Sequence, residues 1–136
     1  IRVAAGMPLD FSQEDISFSG HAIECRINAE DPSNNFAPSC GRIKLLHTPG
    51  GPWVRFDTAL YQEYLVPPYY DSLLGKLIVR AKTREEAIRK MQAALCELVV
   101  EGVSHTADLH MDLLSDEALL DGSYTTDFMK NRGYVC

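Results

Sequence analysis

The stretch that decides the fold is His21-Ala22-Ile23-Glu24-Cys25-Arg26-Ile27-Asn28-Ala29-Glu30. His21, Ile23, Cys25, Ile27 and Ala29 share one face, and Ala22, Glu24, Arg26, Asn28 and Glu30 share the other. A period of two with one apolar side predicts a half-buried strand. Cys25, a small thiol between two isoleucines, suits the inward face. On the polar face a guanidinium stands between a carboxylate and an amide, each two residues away. Mounted on a stiff strand, Arg26 can bind a carboxylate through two N–H groups or stabilise a developing oxyanion. An ordinary surface ion pair is the alternative reading of the same three residues, and Arg55 and Asp71 are equally open between fold-holding ion pairs and interface charges.

On the C-terminal side, Asp31-Pro32-Ser33-Asn34-Asn35 and Pro38-Ser39-Cys40-Gly41 are turn chemistry. Arg42–His47 and Trp53–Asp57 are rich in aliphatic and aromatic residues and are expected to be strands. The Thr48-Pro49-Gly50-Gly51-Pro52 segment between them suits a tight reversal. Val66-Pro67-Pro68-Tyr69-Tyr70-Asp71 lacks two ladder donors, so an extended loop with packed tyrosines is expected. Leu77, Val79 and Ala81 then alternate with Lys76, Ile78, Arg80 and Lys82, predicting a strand with a basic, wet face. Thr83-Arg84-Glu85-Glu86 reads as a capping box. Ala87, Ile88, Met91, Ala94, Leu95, Leu98 and Val99 follow at helical spacing, and Gly102 is the expected stop. A second helix over Thr106–Leu114, a turn over Glu117–Leu120 and a closing segment over Thr126–Arg132 complete the chain. Strands first and helices later, with short loops, predict an α+β domain with a mainly antiparallel sheet and helices packed against it.

The 136 residues, 46% apolar and 24% charged, fit one domain over residues 1–136. A chain of this size buries roughly two-thirds of its unfolded surface and needs no metal or disulfide staple. The net charge is −6, and between Glu97 and Asp127 eight acidic residues stand without a single Lys or Arg. That surface repels phosphate backbones and anionic lipid, so neither nucleic acid nor a membrane is an expected partner. No apolar run approaches ~18 residues, the length of a membrane-spanning helix. Cys25, Cys40, Cys96 and Cys136 are widely spaced, with no C-x-x-C and no H-E-x-x-H, so no metal site is expected. The sparse cysteines suit a reducing, cytoplasmic setting. Ile1–Gly6 has no signal-peptide character and reads as the last turn of a helix belonging to a longer protein. There is no glycine-rich phosphate loop, no G-x-S-x-G elbow and no kinase-type lysine and metal-ligand set, so the chain alone is a poor enzyme.

Several runs together resemble the C-terminal domain of biotin carboxylase, the ATP-dependent component of acetyl-CoA carboxylase and related biotin enzymes. They are Gly20-His21-Ala22-Ile23-Glu24-Cys25-Arg26-Ile27-Asn28-Ala29-Glu30-Asp31, Thr48-Pro49-Gly50-Gly51, Val54-Arg55 and Val66-Pro67-Pro68-Tyr69-Tyr70-Asp71-Ser72. Gly75-Lys76 and Glu101-Gly102-Val103 fit as well, and the similarity spans essentially the whole chain. By that resemblance residues 1–8 are the end of a helix linking this domain to an ATP-grasp region. The arginine of the E-C-R-I-N-A-E motif, Arg26, is implied as catalytic, stabilising the enolate-like oxygen of the biotin ureido ring as its nitrogen is deprotonated. Arg55 is implied at a homodimer interface and Asp71 in ion pairing near it. Thr125 and Thr126 fall in a segment that closes over the adenine edge of ATP.

The family's ATP-grasp lysines, glycine-rich loop, metal-binding glutamates and base glutamate all precede this domain. The resemblance therefore implies a complete enzyme that uses ATP, Mg²⁺ (or Mn²⁺) and bicarbonate to carboxylate biotin through carboxyphosphate. It also implies a biotin carboxyl carrier protein and a carboxyltransferase component as partners. The isolated fragment is expected to be inactive and to hold no cofactor. The parent enzyme is expected to be an acetyl-CoA carboxylase; pyruvate, propionyl-CoA, methylcrotonyl-CoA and urea carboxylases are the alternatives, with a non-catalytic dimerisation or docking module as the reading of a different class. Cys40, where many relatives have proline, and Pro52-Trp53 depart from the family pattern.

Overall fold

The computed structural model describes residues 1–134. The alternating segment forms β1 (His21–Asn28), and the chain continues through β2 (Glu30–Asp31), β3 (Ala37–Pro38), β4 (Gly41–Arg42) and β5 (Leu45–His47). β6 (Val54–Thr58), β7 (Leu65–Val66) and β8 (Leu73–Ala81) follow. Next come α1 (Arg84–Glu97), β9 (Val99–Glu101), α2 (Ala107–Leu113), α3 (Glu117–Asp121) and α4 (Phe128–Asn131). The central sheet has the order β1-β8-β6, and three two-stranded pairs (β2-β3, β4-β7, β5-β9) surround it. Every pairing is antiparallel, as expected of the α+β class.

The period-two reading of β1 holds: Cys25 and Ile27 are buried, whereas Glu24 and Arg26 are exposed. α1 lies across the inner face of β8 and β1. Its Ala87, Ile88, Met91, Ala94 and Leu95 are buried against a core that includes Ile27, Leu77 and Val79. Ile27, Leu77 and Met91 are each 0% exposed, and burying side chains of this size contributes roughly 1.5–3 kcal/mol apiece. Among the described residues no helix is long and apolar enough to cross a membrane. The first 20 residues are exposed throughout. Residues 2–6 form turns, in which the Ala5 amide donates to the Ile1 carbonyl at 3.0 Å and the Gly6 amide to the Val3 carbonyl at 3.0 Å.

Several expectations are corrected. The Arg42–His47 strand splits, because residues 41–42 pair with β7 and residues 45–47 with β9. Thr48–Pro52 is therefore no hairpin reversal: β5 and β6 belong to different sheets. α1 ends at Glu97 rather than near Gly102, since residues 99–101 pair as a strand with residues 45–47. In the capping motif Thr83 accepts from the Glu86 amide, but the Glu86 carboxylate reaches the Lys82 amide at 3.2 Å, one residue before the cap. Tyr69 and Tyr70 are not packed; they are 84% and 85% exposed.

Candidate active site

β1 is an edge strand of its sheet, and its outer edge is filled by side chains instead of another strand. The Thr106 hydroxyl accepts from the Asn28 amide at 3.0 Å and donates to the Arg26 carbonyl at 3.2 Å. The Thr106 amide donates to the Asn28 carbonyl at 3.1 Å. One helical turn further on, His110 Nε2 lies 2.8 Å from the same Arg26 carbonyl. A carbonyl only accepts, so that nitrogen carries the hydrogen. Thr106 is the one polar residue buried in the core among the described residues. Its burial is explained by these bonds, since a hydroxyl without partners in a core is costly.

On the other edge, β1 pairs with β8 in continuous register from His21↔Ala81 to Ile27↔Gly75 and then slips, so that Asn28 faces Leu73. The register shifts between Ile27 and Asn28, two residues along from Arg26, and such bulges commonly re-aim side chains beside active sites. The two long signature runs meet here. The Ala29 amide donates to the Ser72 carbonyl at 2.7 Å. Ser72 Oγ donates to the Glu30 carboxylate, which also takes the Asn28 amide group at 3.4 Å. Asn28 is thus a support for Glu30, and its Oδ1 has no hydrogen-bond partner among the described residues.

The outer sheet face presents two cross-strand rows, Glu24–Ile78–Arg55 and Arg26–Lys76–Asp57. Arg55 makes a two-pronged contact with Asp57, Nε to Oδ1 and Nη2 to Oδ2, both at 2.8 Å. The Asp57 carboxylate holds the Arg55 guanidinium above its ordinary pKa, with a smaller contribution from Glu24. Arg26 is different: it is exposed and forms no ion pair among the described residues. Across the strand it faces another cation, Lys76. Like charges directly opposite each other destabilise a sheet, so this pair favours an anion or an electron-rich oxygen beside it.

Asp71 does not pair with Arg55. Its Oδ1 accepts from the Leu73 amide at 2.8 Å, shaping the turn into β8. Thr125 and Thr126 are exposed on the segment between α3 and α4. Their neighbours Tyr124 and Phe128 line a cleft of about 500 Å³ shared with Ala22, Glu24, Arg84 and His110. Arg84 reaches from the first turn of α1 to the Leu119 carbonyl of α3 and to His21 Nε2. Among the described residues no group of three His, Cys, Asp or Glu side chains converges as a metal site would. Thr106, His110 and Arg84 escape a sequence reading, because each works on a distant backbone carbonyl and belongs to no local pattern.

A family model described as the biotin carboxylase C-terminal domain matches residues 24–131. Biotin carboxylase 1 of Bacillus subtilis is 52% identical over 130 residues, covering 96% of this chain and 29% of that protein. A pyruvate carboxylase subunit of Methanothermobacter thermautotrophicus is 47% identical, covering 95% of this chain and 26% of that one. A crystal structure of the biotin carboxylase domain dimer of Hydrogenobacter thermophilus 2-oxoglutarate carboxylase, in complex with MgADP, ADP and bicarbonate, superposes with a TM-score of 0.93 at 45% identity. It covers 97% of this chain and 29% of that one. The chain thus spans under a third of the length of these relatives, and it belongs to the biotin carboxylase C-terminal domain family.

Proposed function

We propose that this domain contributes Arg26 to the carboxylation of carrier-bound biotin in an ATP-dependent biotin carboxylase. A urea nitrogen is a feeble acid and nucleophile. A guanidinium fixed beside the ureido oxygen favours the deprotonated form, in which the nitrogen can attack. The observation that carries this reading is the exposed Arg26 guanidinium, without an ion-pair partner among the described residues, on a strand held along both edges. The opposed Lys76 adds to the positive field at that point. ATP, Mg²⁺ and bicarbonate are the co-substrates and ion that fit this reading, and the complex of the 2-oxoglutarate carboxylase relative, which holds MgADP, ADP and bicarbonate, supports it. The chain's own proposed contribution toward the nucleotide is the wall formed by Tyr124 and Phe128, with the exposed Thr125 and Thr126 between them in sequence.

The parent enzyme is proposed to be the biotin carboxylase component of an acetyl-CoA carboxylase, serving fatty acid synthesis in the cytoplasm. A biotin carboxyl carrier protein and a carboxyltransferase component are its proposed partners. A homodimer is proposed with Arg55 at its interface and Asp71 near it. Exposed apolar side chains in the first 20 residues, among them Phe11, Ile16 and Phe18, fit a segment covered by the remainder of a longer polypeptide. The similarity to a pyruvate carboxylase component sustains a second reading, in which the carboxyl group finally passes to a 2-oxo acid. The experiment supplies the full-length protein and its carrier and transferase partners with labelled bicarbonate and ATP, then offers acetyl-CoA, propionyl-CoA, pyruvate or 2-oxoglutarate. Label on carrier biotin that passes to acetyl-CoA is the expected result. Transfer to pyruvate instead supports the second reading, and no label on biotin refutes both.

A further inference from the structure

We infer that Thr106 and His110 are positioning residues for Arg26, acting together through its main-chain carbonyl; this rests on the catalytic reading of Arg26 given above. An edge strand normally leaves alternate backbone groups to water, where they fray and twist. At Arg26 the outward carbonyl instead receives two donors, the Thr106 hydroxyl at 3.2 Å and His110 Nε2 at 2.8 Å. Both lone pairs of that oxygen are thereby engaged. Thr106 is held in turn through two bonds to Asn28, one from its amide and one to its hydroxyl. It replaces a partner strand over one repeat of the ladder. The clamp closes on the residue whose side chain has no ion pair among the described residues to steady it. Rigid main chain is then what defines where the guanidinium starts from. Small misplacements of a reacting group are costly: about 1 Å can lower a rate by as much as 10²-fold.

The donors are of different kinds and come from adjacent turns, one from the residue preceding α2 and one from the helix itself. Either is therefore removable while the other still holds α2 to the strand. His110 is half-buried and also lines the cleft below Tyr124 and Phe128.

The test is steady-state bicarbonate-dependent carboxylation of biotin by the full-length protein carrying His110→Ala, His110→Gln, Thr106→Val or Thr106→Ser. Gln extends an amide N–H to nearly the position of Nε2, and Ser keeps the hydroxyl. His110→Ala and Thr106→Val are expected to lower kcat by about tenfold, and Thr106→Val, which lies outside the cleft, to leave the KM for ATP unchanged. His110→Gln and Thr106→Ser are expected to restore most of it. In an Arg26→Ala background, His110→Ala is expected to cost nothing further, because the clamp acts only through that side chain. Wild-type kcat in His110→Ala, a loss that Gln does not rescue, or a full additional loss on top of Arg26→Ala overturns the inference. Wild-type turnover in Arg26→Ala alone instead overturns the catalytic reading beneath it. Should Thr106→Val fail to fold, the His110 pair decides the question.

Discussion

Arg26 and Cys25 are adjacent residues with opposite fates, and the strand period explains both. Cys25 is 5% exposed, and burial, with a smaller contribution from the Glu24 charge, pushes its thiol up to about 12. It should therefore be inert toward alkylation at pH 8, since the thiolate is the nucleophile. Cys40 and Cys96 are exposed and should react. Peptide mapping after iodoacetamide treatment of the native protein checks this, and labelling of Cys25 as fast as Cys40 would contradict it. His110 offers a second test at this scale. Burial lowers its pKa below the ordinary 6.5, outweighing the opposing contribution of its bond to the Arg26 carbonyl. In the unfolded chain His110 gains a proton near pH 6.5, whereas the folded protein resists it until lower pH. Its contribution to stability is thus complete above that range and is lost as pH falls from about 6.5 through the lowered folded value. Urea unfolding at stepped pH should show this decline, with a shallower one in His110→Gln. Equal slopes in the two proteins would contradict the assignment.

At the scale of elements, local pattern reached some of the structure and stopped where pairing is long-range. β1 and α1 were legible because one apolar face at period two and one at helical period each specify their own conformation. β9 was not. Leu98 and Val99 continue the helical spacing of α1, but Leu46↔Val100 and its neighbours pair this segment with a strand far back in the sequence. Arg26 was legible as a side chain on a polar strand face. Its clamp was not, because Thr106 and His110 lie 80 and 84 positions away and act on main chain. Gly102 stood out in the sequence as a helix stop, but its structural role is different. Its φ is +110°, and an added Cβ would lie 2.0 Å from the Arg42 carbonyl oxygen, where the chain of β4 crosses. Gly102→Ala combines a left-handed backbone with a clash against main chain that cannot rotate away. A loss of about 2 kcal/mol in unfolding free energy is expected, by overpacking and backbone strain together. A change within about 0.5 kcal/mol, the usual range for a surface substitution, would contradict the close crossing.

For the whole molecule, the inner face of the central sheet is closed by α1, while the outer face displays Arg26, Lys76, Arg55 and Asp57. In the proposed enzyme the Arg26 end of this face serves the chemistry and the Arg55 end meets a second copy. Arg55→Glu would place a third carboxylate beside Asp57 and Glu24, and sedimentation of the full-length protein should then show a weakened dimer. An undiminished dimer would remove Arg55 from the interface. Arg26 itself is tested most directly by bicarbonate-dependent carboxylation of biotin in the full-length protein carrying Arg26→Ala or Arg26→Lys. Loss of a fixed oxyanion-stabilising donor predicts a fall in kcat of about 10²-fold or more in Arg26→Ala, with ATP affinity retained. Arg26→Lys should recover only part of it, because an ammonium lacks the planar fork of donors. Turnover at the wild-type rate in Arg26→Ala would contradict a catalytic role for this guanidinium.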